Sequence, residues 1–586
     1  MRWDLSDLYT SFDSKEYKED FKNLESLVKE YNTRFSSIDS TDERKVLEDF
    51  LDSNIKLSNL FRKLGGFSSL TSSVDATNEV ALKELDKISS LGADLAYPEA
   101  KIKSFIKDIK DLDCVINSSE ILKEHEFYIK EIYEQSQYML SENEEVLYAK
   151  LKQTGSTGWA NLQKIVSSTL LVDINIDGEE KSLPLPAVRN LAYSNDANIR
   201  KTAYEAELKA YKKIDQSSCA ALNGIKGEVL TLSEARGFSS PLEETLFDSR
   251  MKEETLNAML TSMEKYLPVF HEYFQAKAKY LGHENNKLPF YDIFAPVGEA
   301  NMTFTFEEAR DYIVKNFNTF SDELGSFAQN AFDSNWIDAE PRNGKRGGAF
   351  CSNLHPIGQS RIMANFDGSF SNVITLAHEL GHGYHGHNLK SESILNSSYP
   401  MPIAETASIF CETIVTNAAL NEADKLEQLS ILESSIQDAA QVIVDIYSRF
   451  LFESEFFKRR KDHNLSVDEV NEIMLDAQRK AYGDGLDEEA LHKYMWVNKS
   501  HYYSAGRNFY NFPYAFGLLF SKGLYAKYLE VGNKFVDDYN DLLKITGKNS
   551  IEDIAKTADI DVTDPAFFES SLELIKKDID KFISLL

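Results

Sequence analysis

The run Val373-Ile-Thr-Leu-Ala-His378-Glu379-Leu-Gly-His382-Gly-Tyr-His385-Gly-His387 holds an HExxH pattern. On a helix, residues four apart share a face and lie about 6 Å apart along the axis. Two imidazoles so placed converge on one Zn²⁺ at about 2.0–2.1 Å. Glu379 then stands within reach of water on that ion and serves as general base. The ion lowers the pKa of water to roughly 7, and the carboxylate takes the proton as the water attacks a carbonyl. The indicated chemistry is therefore metal-assisted hydrolysis. The apolar lead-in Val373–Ala377 predicts a buried helix, which argues against the bland alternative of solvated histidines.

A hydrolytic zinc needs a third protein ligand and one open position. His385 is seven residues beyond His378, about 10.5 Å along an unbroken helix, too far to share the ion. The metzincin pattern HExxHxxGxxH is excluded, because His385 stands where it needs Gly and Asn388 where it needs His. His385 and His387 are expected behind the ligands, towards substrate or in the structure. The remaining route is a carboxylate from a second helix. Pro402-Ile-Ala-Glu405-Thr-Ala-Ser-Ile-Phe-Cys-Glu412 begins with a favourable Pro and places two glutamates on one face. Glu405 is preferred over Glu392, which sits in a Ser/Asn-rich connection. Glu412 either orients a ligand histidine from behind or is a charged residue near a helix end.

These groups need a scaffold. Two strands are expected just before the motif, Gly344–Leu354 and Arg361–Asp367, joined by His355–Ser360 with loop chemistry. The glycines of the first mark either close approach of another backbone or a surface hairpin. A β-hairpin turning at Asp177-Gly178 is expected near 171–185. Elsewhere the apolar period is helical: Leu82, Leu85, Ile88, Leu91 and Leu95, then Leu429 to Phe450, then Leu572 to Phe582. With 27 Gly and 13 Pro in 586 residues, helix breakers are scarce. The fold class expected is mostly α.

Five segments together resemble the oligoendopeptidase F family, within the thimet-oligopeptidase-like zinc metallopeptidases. They are Trp3-Asp-Leu-Ser-Asp-Leu-Tyr9, Ser240-Pro-Leu-Glu-Glu-Thr-Leu-Phe247, Gly344-Lys-Arg-Gly-Gly-Ala-Phe350, Thr375–His382 and Ala404-Glu-Thr-Ala-Ser408. The resemblance implies a large helical zincin-type fold with a small β-sheet beside the active-site helix and a deep substrate channel. It implies one Zn²⁺ on His378, His382 and Glu405, with Glu379 as base. It also places His501, Tyr510 and Tyr514 over the scissile carbonyl, where an imidazole or phenol donor stabilises the oxyanion. Aromatic core packing is the competing role for any one tyrosine. Gly347, Gly348, Ala349 and Phe350 are implied as an edge for a bound peptide, held by backbone bonds that ignore side chains.

Composition narrows the remaining classes. With 94 Asp+Glu against 64 Lys+Arg and a net charge of -30, the chain lacks the basic footprint of a nucleic-acid binder. No run reaches the ~20 apolar residues of a membrane helix. The N-terminal residues have no apolar stretch of the secretory type. Cys114, Cys219, Cys351 and Cys411 are widely spaced and predict free thiols. The expectation is a cytoplasmic enzyme cutting internal bonds of short unfolded peptides. Its expected organisation is a helical part over 1–195 and a catalytic domain over 196–586. The rivals are a C-terminal dipeptidase or carboxypeptidase, which needs a cation such as Arg507 or Arg346 for the terminal carboxylate, and a non-catalytic peptide-binding scaffold.

Overall fold

The computed structural model describes residues 1–38, 40–298 and 302–586. Helix dominates, with two small sheets. The chain forms two compact units, each assembled from three stretches. The first comprises Met1–Met139, Met302–Ala418 and Lys527–Ile560; the second comprises Leu140–Asn301, Ala419–Ala526 and Asp561–Leu586. Residue 195 falls inside the second unit. None of the described helices is long and apolar enough to cross a membrane.

In the first unit the long helix α1 (Glu43–Val74) starts at Asp42, whose side chain accepts from the Lys45 amide. It buries Leu47, Phe50, Leu51, Leu57, Leu64, Phe67 and Leu70 along one side. The hairpin of the second unit pairs β1 (Leu171–Ile176) with β2 (Glu179–Pro184). Asp177 and Gly178, at φ 54° and 85°, make its turn. Leu429, Leu432, Ile436 and Ile443 are buried as their period predicts. Their helix has a π turn at Gln441–Asp445 between Lys425–Ala440 and Ile446–Arg460. The C-terminal helix, Pro565–Leu585, is longer than the apolar pattern alone suggests.

The platform for the HExxH motif is a three-stranded sheet in the first unit. β3 (Ile337–Asp338) runs parallel to β5 (Gln359–Met363), and β4 (Phe350–Leu354) pairs antiparallel with β5. The order β3-β5-β4 leaves β4 at an edge. Both expected strands are shorter than their sequence pattern. Gly344 and Gly348 adopt φ of 82° and 79°, so the backbone before Phe350 turns instead of extending. β5 gives way to loop at Ala364. The sheet is covered on both faces. Leu354 meets α1, where a Cβ on Gly66 would stand 2.9 Å from its Cδ2. Asn353, on the opposite face, meets α2 (Phe370–Leu389), its Nδ2 donating to the His382 carbonyl at 3.0 Å. A second helix, α3 (Thr406–Glu422), follows the short turn of helix Met401–Ala404.

Two charged groups anchor this sheet. Arg361, fully buried in β5, donates to the Asp4 carbonyl at 2.7 Å, to Asp7 Oδ2 at 3.1 Å and to Gln359 Oε1 at 2.9 Å. The N-terminal Trp3–Tyr9 segment thus has a physical task, which is to satisfy a guanidinium under the sheet. Asp338 in β3 accepts a bidentate pair from Arg342 at 2.7 and 2.9 Å and a bond from Lys345 Nζ at 2.7 Å. Lys345 also donates to the carbonyls of Asp338, Glu340 and Ala364. It pins the loop that delivers β4. Burial would raise the Asp338 pKa, but the bonds from Arg342 and Lys345 outweigh it and hold the carboxyl below its usual range.

A group whose pKa is depressed on folding contributes stability above its unfolded pKa, and that contribution is lost as pH falls through the folded value. Asp338→Asn is therefore expected to cost about 3 kcal/mol at pH 7, because it strands a buried Lys345. The gap to wild type should shrink as pH falls below about 4. Urea unfolding at stepped pH measures both.

Candidate metal centre

α2 begins at Ser369, whose hydroxyl accepts from the Asn372 amide. Val373, Leu376, Ala377, Leu380 and Tyr384 are buried along it, so the helix is fixed in rotation. His378 and His382 project from the same side, with Nε2 atoms 3.1 Å apart. Glu405 occupies the break between Met401–Ala404 and α3, so the expected single helix through Glu405 and Glu412 is interrupted at the proposed ligand. Its Oε2 lies 3.4 Å from His378 Nε2 and 3.6 Å from His382 Nε2. Ser408 Oγ donates to that same Oε2 at 2.9 Å and orients it.

α2 and α3 come this close because of a glycine. A Cβ at Gly381 would stand 2.5 Å from the Ala407 carbonyl oxygen and 2.6 Å from Ser408 Cα. A glycine in a helix interior costs about 1 kcal/mol against alanine, and here it permits backbone contact between the two helices. On the sheet side, Gly386 allows the same intimacy with Asn353, whose Oδ1 would be 2.3 Å from a Cβ.

Behind the triangle, Glu412 Oε1 accepts from His378 Nδ1, which leaves Nε2 directed at the cluster. Glu379 is buried, and its Oε2 has no hydrogen-bond partner. Burial is the main cause that lifts its pKa to about 7, with Glu405 and Glu412 adding to it and His378 opposing. Burial acts to lower the His378 pKa, but the bond to Glu412 and the charges of Glu405 and Glu379 carry it to about 9. Burial and the neighbouring His378 keep His382 neutral.

Among the described residues, His378, His382 and Glu405 are the one group of three metal-ligating side chains. Donors on one tetrahedral ion with bonds near 2.0–2.1 Å are about 3.3–3.4 Å apart. The observed 3.1, 3.4 and 3.6 Å fit that requirement. The charge fits too, since three carboxylates surround two imidazoles and a dication would offset most of their negative charge.

The other residues singled out from sequence have other surroundings. His385 is buried, bonded through Nε2 to Thr546 Oγ1 at 2.8 Å and stacked on Tyr399 at 4.0 Å. Glu392 is paired with Lys548 at 2.6 Å. Gly347 and Gly348 are exposed, Ala349 and Phe350 half-buried, and β4 proper starts at Phe350. The Asn365 amide donates to the carbonyls of Arg346 and Gly348, which shapes the approach to that edge. His501, Tyr510 and Tyr514 belong to the second unit and are mutual neighbours. The His501 and Tyr510 ring centroids are 5.6 Å apart, and the two tyrosine hydroxyls are 2.9 Å apart. His501 Nε2 is buried without a partner. Burial first, then Arg449 and Lys499, push its pKa to about 3, so this ring is neutral and not an imidazolium. Sequence reasoning did not single out Ser408 or Asn353 for a role. Ser408 lies in the Ala404–Ser408 segment, one helical turn from Glu405, and that spacing was its available signal.

Known proteins match this arrangement. The family model for peptidase family M3 spans residues 190–574, and a second, described as Oligopeptidase F, spans 95–170. The chain belongs to peptidase family M3. Membership makes it a metallo-oligopeptidase, a hydrolase of peptide bonds. Oligopeptidase PepF of Bacillus subtilis is 25% identical over 599 residues, covering 100% of this chain and 87% of that protein. An oligoendopeptidase F homolog of Borreliella burgdorferi is 25% identical over 595 residues, covering 98% and 96%. In fold, the chain is similar to oligoendopeptidase-F from Enterococcus faecium, with a TM-score of 0.71 at 18% identity over 97% of this chain and 99% of that one.

The His378–His382–Glu405 group makes a direct prediction. His378→Ala and Glu405→Ala are each expected to abolish stoichiometric metal. Glu412→Gln should keep the fold and weaken metal affinity by about 10–100-fold. Elemental analysis and competition with a chromophoric chelator read both.

Proposed function

We propose that this chain is a zinc-dependent oligoendopeptidase that cuts internal bonds of short, unfolded peptides. The observation that carries the proposal is the unpartnered Glu379 Oε2 beside the His378–His382–Glu405 triangle. Two imidazoles and one carboxylate with an open fourth position is a donor set suited to catalytic Zn²⁺. Zn²⁺ held there would act as a Lewis acid towards the carbonyl and would acidify water. Glu379 Oε2 then accepts the proton of the attacking water. The same carboxyl group hands it to the departing amine nitrogen.

The remaining roles are assigned by chemistry. The edge of β4, with Gly347–Phe350 at its entrance, offers backbone groups to an extended peptide. Such binding tolerates varied side chains. His501, Tyr510 and Tyr514 are assigned as donors to the oxyanion, through the N–H of a neutral ring and through phenols. Tyr510 has a hydroxyl partner in Tyr514, so a Tyr510→Phe change would unsettle both. The donor set supports zinc, and similarity to proteins named oligoendopeptidase F supports the endopeptidase mode; the preference for unfolded substrates belongs to the same reading.

Three outcomes are expected when a mixed-length peptide library is digested and read by mass spectrometry. Internal cuts should dominate over single residues or dipeptides lost from C-termini. Chelator should abolish them, and Zn²⁺ should restore them. Glu379→Gln should keep its metal and lose nearly all cleavage. Full activity in that variant, or products from C-termini alone, would contradict the reading. Tyr510→Phe is expected to lower kcat by about 10²-fold with a smaller effect on KM.

A further inference from the structure

Beyond the metal centre, the first unit contains a cavity of about 380 Å³ beside β4. Its floor is strand edge, with Ser352 and Asn353 leading to His355. Gly386 and Leu389 of α2 form one wall, and Arg62 of α1 the other. Ser398 and Tyr399 close it. Its chemistry is unusual for a chain with 30 more acidic than basic residues. Arg62 is half-buried, and among the described residues it has no carboxylate within ion-pair distance. Its NH2 reaches only Ser398 Oγ, at 3.1 Å. Burial lowers the Arg62 pKa and no acid answers it, yet a guanidinium stays charged in proteins. Both ring nitrogens of His355 are buried and make no hydrogen bond of good geometry, although the backbone of Leu389 and Glu392 lies near enough to favour the charged ring. A half-buried guanidinium whose NH2 meets one hydroxyl leaves donors facing the cavity, where an acceptor would be favourable.

The place of the cavity along the strand indicates what that is. β4 is tied to the metal centre at Asn353, whose Nδ2 donates to the carbonyl of His382 at 3.0 Å, and Cys351, two residues before it, also lines the cavity. That spacing is roughly 7 Å at about 3.3 Å per residue, and His355 lies just past the end of β4, in a turn of 3-10 helix. A peptide added to the β4 edge advances at the same rate. We infer that Arg62, with His355 and Ser398, forms a subsite for a carboxylate of the peptide substrate, two to four residues from the scissile bond. This inference rests on the reading of β4 as the peptide-binding edge. The carboxylate comes either from an Asp or Glu side chain or from a peptide terminus. The planar guanidinium suits either, because it binds carboxylate in bidentate fashion.

The test uses the full-length enzyme with its metal and a set of ten-residue peptides. One Glu is moved along each, with Gln at the same place in its control, and the C-terminus is either free or amidated. Wild type is expected to favour one carboxylate in kcat/KM by about tenfold or more: either Glu over Gln at one position two to four residues from the cut, or a free over an amidated C-terminus at that distance. Arg62→Gln should bring that ratio close to one, and Arg62→Glu should reverse it. A Glu:Gln preference that persists in amidated peptides assigns a side chain; a free:amidated preference with Glu and Gln cleaved alike assigns the terminus. Wild type that distinguishes neither Glu from Gln nor free from amidated C-termini, or a preference unchanged in both variants, overturns the subsite. The same ratio is read as affinity, by fluorescence anisotropy with the Glu379→Gln form. If no peptide is cleaved at all, the proposed function fails, while the anisotropy ratio still decides the subsite.

Discussion

At Gly381 the backbone of one helix lies against the backbone of another. The contact leaves no room for a Cβ before Ala407 and Ser408. Without it, Glu405 would stand further from the histidines, and the triangle of 3.1–3.6 Å would open. The other features of the site can be read as supports for this contact. The buried apolar side of α2 fixes its rotation, Ser408 aims the Glu405 carboxylate, and Glu412 aims His378. The sheet beneath is held by Arg361 and Asp338, and Gly386 lets Asn353 clasp α2 from below. Small residues at the contact and charged groups at the periphery divide the work. The first set distance, and the second set orientation.

Electrostatics adds a second constraint. Three carboxylates converge around two imidazoles in a largely buried place, an arrangement that is unfavourable until a dication enters. Glu379 is the member of the trio with an oxygen left unpaired, and it is the one proposed to exchange a proton. One turn beyond His382 along α2 the sign reverses, at a cavity lined by an unpaired guanidinium. The overall charge of the chain therefore says little about which peptides are preferred locally. The cavity beside β4 favours an anionic group in a chain whose net charge is -30.

The parts of this account that were legible in sequence are those encoded by local spacing. HExxH is an i, i+4 pattern that carries its geometry with it. The 27 residues from His378 to Glu405 were enough to expect a return on a second helix. The Asp-Gly hairpin and the long apolar periods were equally local. What was not legible depends on backbone detail or on distant pairing. The positive φ of Gly344 and Gly348 shortens a strand that the residue types alone would extend. The helix break at Glu405 has no marker in its residue types. Arg62 stands more than 300 residues before His378, and its role depends on lying opposite a strand edge, which no motif records. The interleaving of two units along the chain is likewise a property of long-range contacts.

The central claim is that backbone contact at Gly381 sets the metal triangle. Replacing Gly381 by Ala tests it most directly. The metal-free variant is first shown by far-UV circular dichroism to keep its helix content, and its Zn²⁺ dissociation constant is then measured against wild type with a competing chelator. The account predicts affinity weakened by about tenfold or more, because Ala407 and Ser408 must retreat and carry Glu405 with them. An affinity equal to that of wild type would contradict it.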